Sequence, residues 1–273
     1  YLTKSWGYGN EYRPFLPYTY AWDAYFSGAN PLGYHLTNTL LHTANSVIIA
    51  GLAVLLGISR RTAALAGLIY LLNPVGHEAV LWIAGRPVVL ATFLILACCY
   101  LFLATLRAQK SSVWRWFGVY ALFILALCTY ELAIVTPLLV AFLAYLAKQN
   151  RQAYQKHVVS LLIIAAVYAL FWNWFFEFRF TRIQIEHSWW RSLTNFGDAL
   201  AHSFHGSLRL EIVPFYFLLL GFFLRTRNGR WLTLLAVVWF AIGYIPYFVV
   251  TGYADRFAYL SSAATAVLLA AAL

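Results

Sequence analysis

From Leu32 onward the chain is a train of apolar runs separated by short polar breaks, a pattern that leaves few alternatives to a bundle of helices in lipid. The runs cover residues 32–57, 62–72, 87–106, 114–127, 132–147, 158–176, 212–224, 231–250 and 257 onward, nine in all. Of the 273 residues 63% are hydrophobic and only 10% charged, against about 25% charged in an average soluble domain. A water-soluble fold is excluded, and the expected class is all-α, a polytopic transmembrane bundle read as one domain over 1–273. The second, fourth, fifth and seventh runs fall short of the roughly 20 residues that cross the hydrocarbon core. Their connections are therefore expected to dip below the membrane surface, where irregular backbone persists only if it is buried in protein or lines a wet cavity.

Charge sets the orientation. Alternate breaks hold Arg60 and Arg61; Arg107, Lys110 and Arg115; Lys148, Arg151 and Lys156; and Arg225, Arg227 and Arg230. These basic clusters mark the cytoplasmic side, and all nine carboxylates fall on the other side. Topology accounts for the net charge of +10, so nucleic acid is excluded as a partner. Residues 1–31 read as the end of an outer loop with an interfacial helix, and 177–210 as a long outer loop whose Trp189, Trp190 and stretch 193–204 form a second. Cys98, Cys99 and Cys128 lie in apolar runs without metal-ligand spacing and read as buried hydrophobes. The chain contains no Met and ends within an apolar run, so both ends are expected to be cut, with an earlier membrane segment upstream of Tyr1.

The polar residues inside this apolar frame are few. His35, Asn38, His42 and Asn45 recur at helical spacing on one face of the first run, where they either hydrogen-bond neighbouring helices or line a cavity. Pro74 and Gly76 break the chain before His77 and Glu78, and Arg86 follows within reach of Glu78 or of an anion. Glu131 joins two short runs and should lie deep, either partnered or favoured by a helix N-terminus. Asp255 and Arg256 open the last run. The planar fork of Arg256 suits phosphate oxygens, the alternative being an arginine that reaches up to lipid headgroups. His202 and His205 lack a third ligand, so no metal site is assigned.

Several segments in order then resemble the C-type glycosyltransferase superfamily, in particular the transmembrane and tetratricopeptide-repeat O-mannosyltransferases and their bacterial relatives. They are Tyr12-Arg13-Pro14 and Asp23-Ala24-Tyr25; Asn30 through Asn38 with His42 and Asn45; Asn73-Pro74 through Glu78-Ala79-Val80 with Trp82, Gly85 and Arg86; Glu131; and Asp255 through Leu260. The resemblance spans nearly the whole chain. It implies transfer of a sugar from a polyprenyl-phosphate donor to an acceptor hydroxyl on the periplasmic, exterior or lumenal face. Arg256 and Arg86 would bind the lipid phosphate, and Glu78, His77, Glu131, Asp255, His35, His42 and Asn38 would line the pocket. The general base would lie upstream of Tyr1, and a divalent metal is left open as a cofactor. The sequence departs from relatives at Asn73, where they have His, at Pro87-Val88 after Arg86, where they tend to have Lys-Asp, and at Tyr130, where a basic residue is common. These lost charges define the alternative, a catalytically degenerate subunit packed among other membrane proteins. A transporter fits less well, because the acids cluster outside and no inverted repeat is evident.

Overall fold

A computed structural model describes residues 13–108, 112–175, 193–197, 199, 221, 227–247 and 254–273. The described residues contain helices and turns and no strand. Ten helices account for most of them: α1 Leu16–Ser27, α2 Pro31–Leu55, α3 Arg60–Leu72, α4 Gly76–Leu81, α5 Arg86–Arg107, α6 Val113–Leu127, α7 Thr136–Leu146, α8 Arg151–Phe175, α9 Arg227–Tyr244 and α10 Ser262–Ala272.

Local chemistry sets the boundaries. Asn30 caps α2 by accepting the Leu32 N–H at 3.0 Å, with Pro31 at the first helical position, where its missing N–H costs nothing. Ser59 caps α3 through the Thr62 N–H, and Ser112 caps α6 through the Trp114 N–H. After α3, Pro74 cannot continue the helix, and the Asn73 side chain takes the Val75 N–H at 2.9 Å to form a turn. Pro87 and Pro137 open α5 and α7 in the same way as Pro31 opens α2.

The helix α5 is the central post, with α2, α6 and α7 packed around it, while α3 lies between α2 and α10, and α9 covers α10. Continued back through the 3₁₀ turn Ile83–Gly85, it is 72% buried over its most apolar stretch, whereas α8 is only 11% buried. An apolar helix that turns nearly all its surface outward belongs in lipid. The same holds for Leu32, Leu36, Leu40, Val47 and Val54, an exposed stripe on α2 opposite its buried Asn38, His42 and Asn45. The chain is a membrane protein, and its cysteines follow suit, with Cys98 and Cys99 fully buried and all three free.

Eight of the nine apolar runs are mostly helical, and 212–224 falls outside the described residues apart from 221. Nine crossings are not confirmed among the described residues. Four helices, Pro31–Leu55, Ile83–Arg107, Arg151–Phe171 and Gly229–Tyr247, are long and apolar enough to span, while Val113–Leu127, Glu131–Leu146 and Ser262–Ala272 are shorter. The reason is visible in the turns. The 3₁₀ segments Ile83–Gly85, Glu131–Val135, Ile245–Tyr247 and Asp255–Ala258 all lie at the acid-bearing end of the bundle, together with α1 and α4. There the chain spends residues on irregular backbone that a continuous helix would have used for length. The long outer segment, with Trp189, Trp190, His202 and His205, is outside the described residues, apart from helical backbone at 193–197. The N-terminal stretch expected to hold an interfacial helix does form a helix, α1, which exposes Tyr18, Trp22, Tyr25 and Phe26.

Helices α2 and α3 approach closely because Gly67 has no side chain. The Ser46 hydroxyl donates to its carbonyl at 2.9 Å, and a Cβ on Gly67 would sit 2.8 Å from the Ser46 carbonyl oxygen. Gly67→Ala must push two helix backbones apart. It is expected to lower stability by about 1–3 kcal/mol, measured as a reduced midpoint of thermal unfolding in detergent micelles.

Candidate functional site

Three of the four polar residues on the polar face of α2, Asn38, His42 and Asn45, are buried and bonded inside the protein. Asn38 donates to the carbonyls of Val80 and Trp82, both at 3.3 Å, and so ties α2 to the break after α4. His42 places Nδ1 2.7 Å from the Tyr259 hydroxyl and Nε2 3.1 Å from the Leu71 carbonyl. A carbonyl only accepts, so Nε2 carries the proton and Nδ1 accepts from the tyrosine. Asn45 donates to the Val89 carbonyl and to the same Tyr259 hydroxyl, both at 3.2 Å, and the Tyr70 hydroxyl donates to the Tyr259 carbonyl at 3.3 Å. His42 and Asn38 therefore pack helices, one of the two roles their spacing allows. Their product is a fixed Tyr259, which holds the preceding turn Asp255–Ala258 in place. His35 is half-buried one turn earlier and lies outside this network, and His77 is exposed on α4.

Arg86 is not available to an anion. Its side chain is fully buried, and its guanidinium forms an ion pair with Asp23, itself only 4% exposed. Its Nε donates to Asn38 Oδ1 at 2.9 Å, and its two terminal nitrogens donate to the carbonyls of Thr19 at 3.1 Å and Tyr34 at 3.0 Å. The Tyr20 ring lies 4.4 Å below the guanidinium, and Thr37 donates to Asp23 Oδ1 at 2.7 Å. Every donor direction of the fork meets protein. The two readings of Arg86 from sequence, a lipid-phosphate ligand or a partner of Glu78, both give way to a structural clasp joining α1, α2 and the start of α5. Gly85 lets the turn before Arg86 lie directly on α4, since a Cβ there would collide with the Ala79 carbonyl. Burial pushes the Tyr20 phenol above its ordinary pKa, only partly opposed by Arg86, so it remains a neutral ring beneath the cation.

Glu78 pairs instead with Arg256. One carboxylate oxygen meets Nη1 of the guanidinium and the other accepts the Arg256 backbone N–H at 3.1 Å. Both side chains keep about a third of their surface, 29% and 30%. Arg256 stacks near Trp82 and Phe257, at 5.3 and 5.2 Å. A second pair stands alongside: Arg13 grips Glu131 two-handed, at 3.2 and 2.9 Å, and lies 4.5 Å over the Tyr130 ring. Tyr247 stacks on Phe257 at 4.4 Å and bridges the two pairs with Tyr130. Burial raises the pKa of Tyr130, with the neighbouring Glu131 adding to the effect and Arg13 opposing it, so its hydroxyl stays protonated and able to donate. Asp255 is half-buried beside Arg256.

The assembled site thus contains two partly exposed arginines, each oriented by a carboxylate, on an aromatic floor of Trp82, Tyr130, Tyr247 and Phe257. Sequence reasoning had Glu78, Glu131, Asp255 and Arg256 but assigned no role to Arg13, Asp23 or Tyr259. The aromatic-flanked Tyr12-Arg13-Pro14 segment was the available signal for the first of these. Among the described residues no group of three or more His, Cys, Asp or Glu could hold a metal ion.

Fold and site together define a helical membrane protein with a cluster of ion pairs and aromatic rings built from broken helices at one end. The chain is related to the protein O-mannosyltransferases. It is 35% identical over 119 residues to human Protein O-mannosyl-transferase TMTC2, and 34% identical over 117 residues to the Xenopus laevis protein of that name. It is 30% identical over 104 residues to mouse Protein O-mannosyl-transferase TMTC3. These matches cover 42%, 42% and 38% of this chain, and 14%, 14% and 11% of the relatives' own length. No family model and no solved structure matches.

The Asp23–Arg86 clasp should behave as a unit. Arg86→Gln leaves Asp23 buried without a counter-charge and is expected to cost about 3–5 kcal/mol. Adding Asp23→Asn should recover part of that loss, read as a positive coupling in a double-mutant cycle of unfolding in micelles.

Proposed function

We propose that the chain forms the donor-binding part of a membrane glycosyltransferase, which moves a sugar, mannose by analogy with the names of its relatives, from a polyprenyl-phosphate carrier to an acceptor hydroxyl. The observation that carries this reading is Arg256. Its side chain is held by Glu78 and its carbonyl by the Tyr259 N–H, it is 29% exposed, and its Nε and Nη2 make no hydrogen bond among the described residues.

In the reaction the acceptor oxygen attacks C1 of the sugar, the C1–O bond to phosphate breaks and the polyprenyl phosphate departs with the bonding electrons. Charge grows on the leaving phosphate, so a pre-positioned guanidinium binds the transition state more tightly than the ground state. Arg256 takes that role, and Arg13 offers a second cation across the aromatic floor. The exposed faces of Trp82 and Phe257 suit the C–H face of a sugar ring. The proton of the acceptor goes to a carboxylate that the resemblance places upstream of Tyr1. On this reading the basic end of the bundle faces the cytoplasm, the site faces the periplasm, exterior or lumen, and the shorter apolar helices reach across the membrane with the help of their turns.

A second reading has one observation in its favour. Arg86, one of the two cations expected at the phosphate, is spent on Asp23, as befits a bundle retained for packing within a larger membrane assembly. Transfer assays separate the two.

With the full-length protein in membranes and a labelled polyprenyl-phosphate sugar, Arg256→Ala should lower transfer by about 10²-fold or more, and Arg256→Lys should restore only part of it because the fork is lost. Full activity in Arg256→Ala would remove the residue from the mechanism, and a wild-type protein without transfer activity would favour the packing role.

A further inference from the structure

The opposite end of the bundle contains a cleft that the proposed chemistry does not use. It has a volume of about 880 Å³ and opens between the C-terminal ends of α2, α5, α7 and α10 and the N-terminal ends of α3 and α9. Leu56, Ile58, Leu146, Trp231 and Leu232 give its walls apolar patches beside the polar Ser59 and Thr62, while Arg107 and Lys148 stand at its rim. Both cations are exposed. The described carboxylates, Asp23, Glu78, Glu131 and Asp255, all belong to the other end, so the rim carries positive charge with no acid of its own among the described residues.

The backbone at Lys148 adds an independent sign. Helices α2 and α7 both end with the same hydrogen-bonded turn, and both turns face this cleft. In α2 the Gly57 and Ile58 N–H groups return to the carbonyls of Val54 and Ala53, at 3.0 Å each. In α7 the Lys148 and Gln149 N–H groups return to those of Tyr145 and Ala144, also at 3.0 Å each. The residue at the turn is left-handed in both, with φ +89° at Gly57 and +53° at Lys148. Glycine adopts this conformation freely and a lysine does not. Lys148 is the sole non-glycine residue with positive φ among those described. A left-handed lysine at a position glycine would occupy more easily points to a role for its end group.

We infer that this cleft is a binding site for an anionic phospholipid, with Arg107 and Lys148 on the headgroup phosphate and the acyl chains along the walls of Leu56, Ile58, Leu146, Trp231 and Leu232. The site lies at the basic end of a bundle whose flanks are already lipid-facing, so the ligand is the surrounding solvent itself. Charge complementarity selects anionic headgroups over zwitterionic ones. The size is that of a small-ligand pocket, roughly 300–1,000 Å³.

The test uses the full-length protein in nanodiscs of phosphatidylcholine with or without phosphatidylglycerol, read by native mass spectrometry for retained lipid and by thermal unfolding. The wild-type protein should retain phosphatidylglycerol in preference and unfold at a higher temperature when it is present. Arg107→Ala and Lys148→Gly should each weaken retention by on the order of fivefold. Lys148→Gly separates the site from the fold, because glycine relieves the left-handed turn. In pure phosphatidylcholine this variant should unfold at the wild-type temperature or above it, while losing the gain from phosphatidylglycerol. Three outcomes overturn the inference: equal behaviour of the wild-type protein in the two lipid mixtures, wild-type retention of phosphatidylglycerol by both variants, or the same stabilisation from inorganic phosphate alone.

Discussion

The acid-bearing end of this protein hangs on one buried ion pair. Asp23 arrives from the interfacial helix α1 and Arg86 from the first turn of α5, and the pair is closed off by Thr37, Asn38 and two backbone carbonyls. Two charges out of water are tolerable only when they are well partnered, and here each of the three guanidinium nitrogens donates a hydrogen bond. The clasp fixes α1 on α2, and the Asn38 side chain, locked by Arg86, in turn fixes the carbonyls of Val80 and Trp82. Trp82 and Glu78 then stand where Arg256 meets them. Removing the clasp would therefore disturb a site to which it contributes no exposed atom.

Much of the chain's plan was legible in its sequence, because hydrophobic runs and helical spacing are local signals. The buried stripe Asn38, His42 and Asn45 follows from steps of four and three residues on α2, and the breaks at Pro74, Pro87 and Pro137 follow from proline's missing N–H. Pairing was not legible. Glu78 and Arg86 are near neighbours in the chain, yet Glu78 finds Arg256 178 residues away, and Glu131 finds Arg13 118 residues away. Such partners are chosen by how helices pack, and nothing in the spacing of charges encodes that. Helix length was not legible for a related reason: apolar composition counts runs, whereas 3₁₀ turns at 83–85, 131–135 and 255–258 decide how much of each run is straight helix.

The two ends of the bundle differ in how they handle charge. At one end each exposed arginine is held by a carboxylate, so its direction is set and its field is partly cancelled. At the other the cations stand on open turns and near the expected headgroup level, oriented by backbone alone. Orientation suits a site that must meet one developing charge, and an open, uncancelled field suits attraction to a charged surface.

On the proposed reading the Glu78–Arg256 pair would also act as a filter. An anion arriving at Arg256 would meet a guanidinium already occupied by a resident carboxylate. A ligand bringing a single carboxylate exchanges one such contact for its equal and gains nothing. Only an anion that offers more, through extra oxygens on the Nε and Nη2 edge or through an attached body that rests on Trp82 and Phe257, displaces the balance. The acid beside the arginine would then set a threshold that a lone carboxylate does not pass.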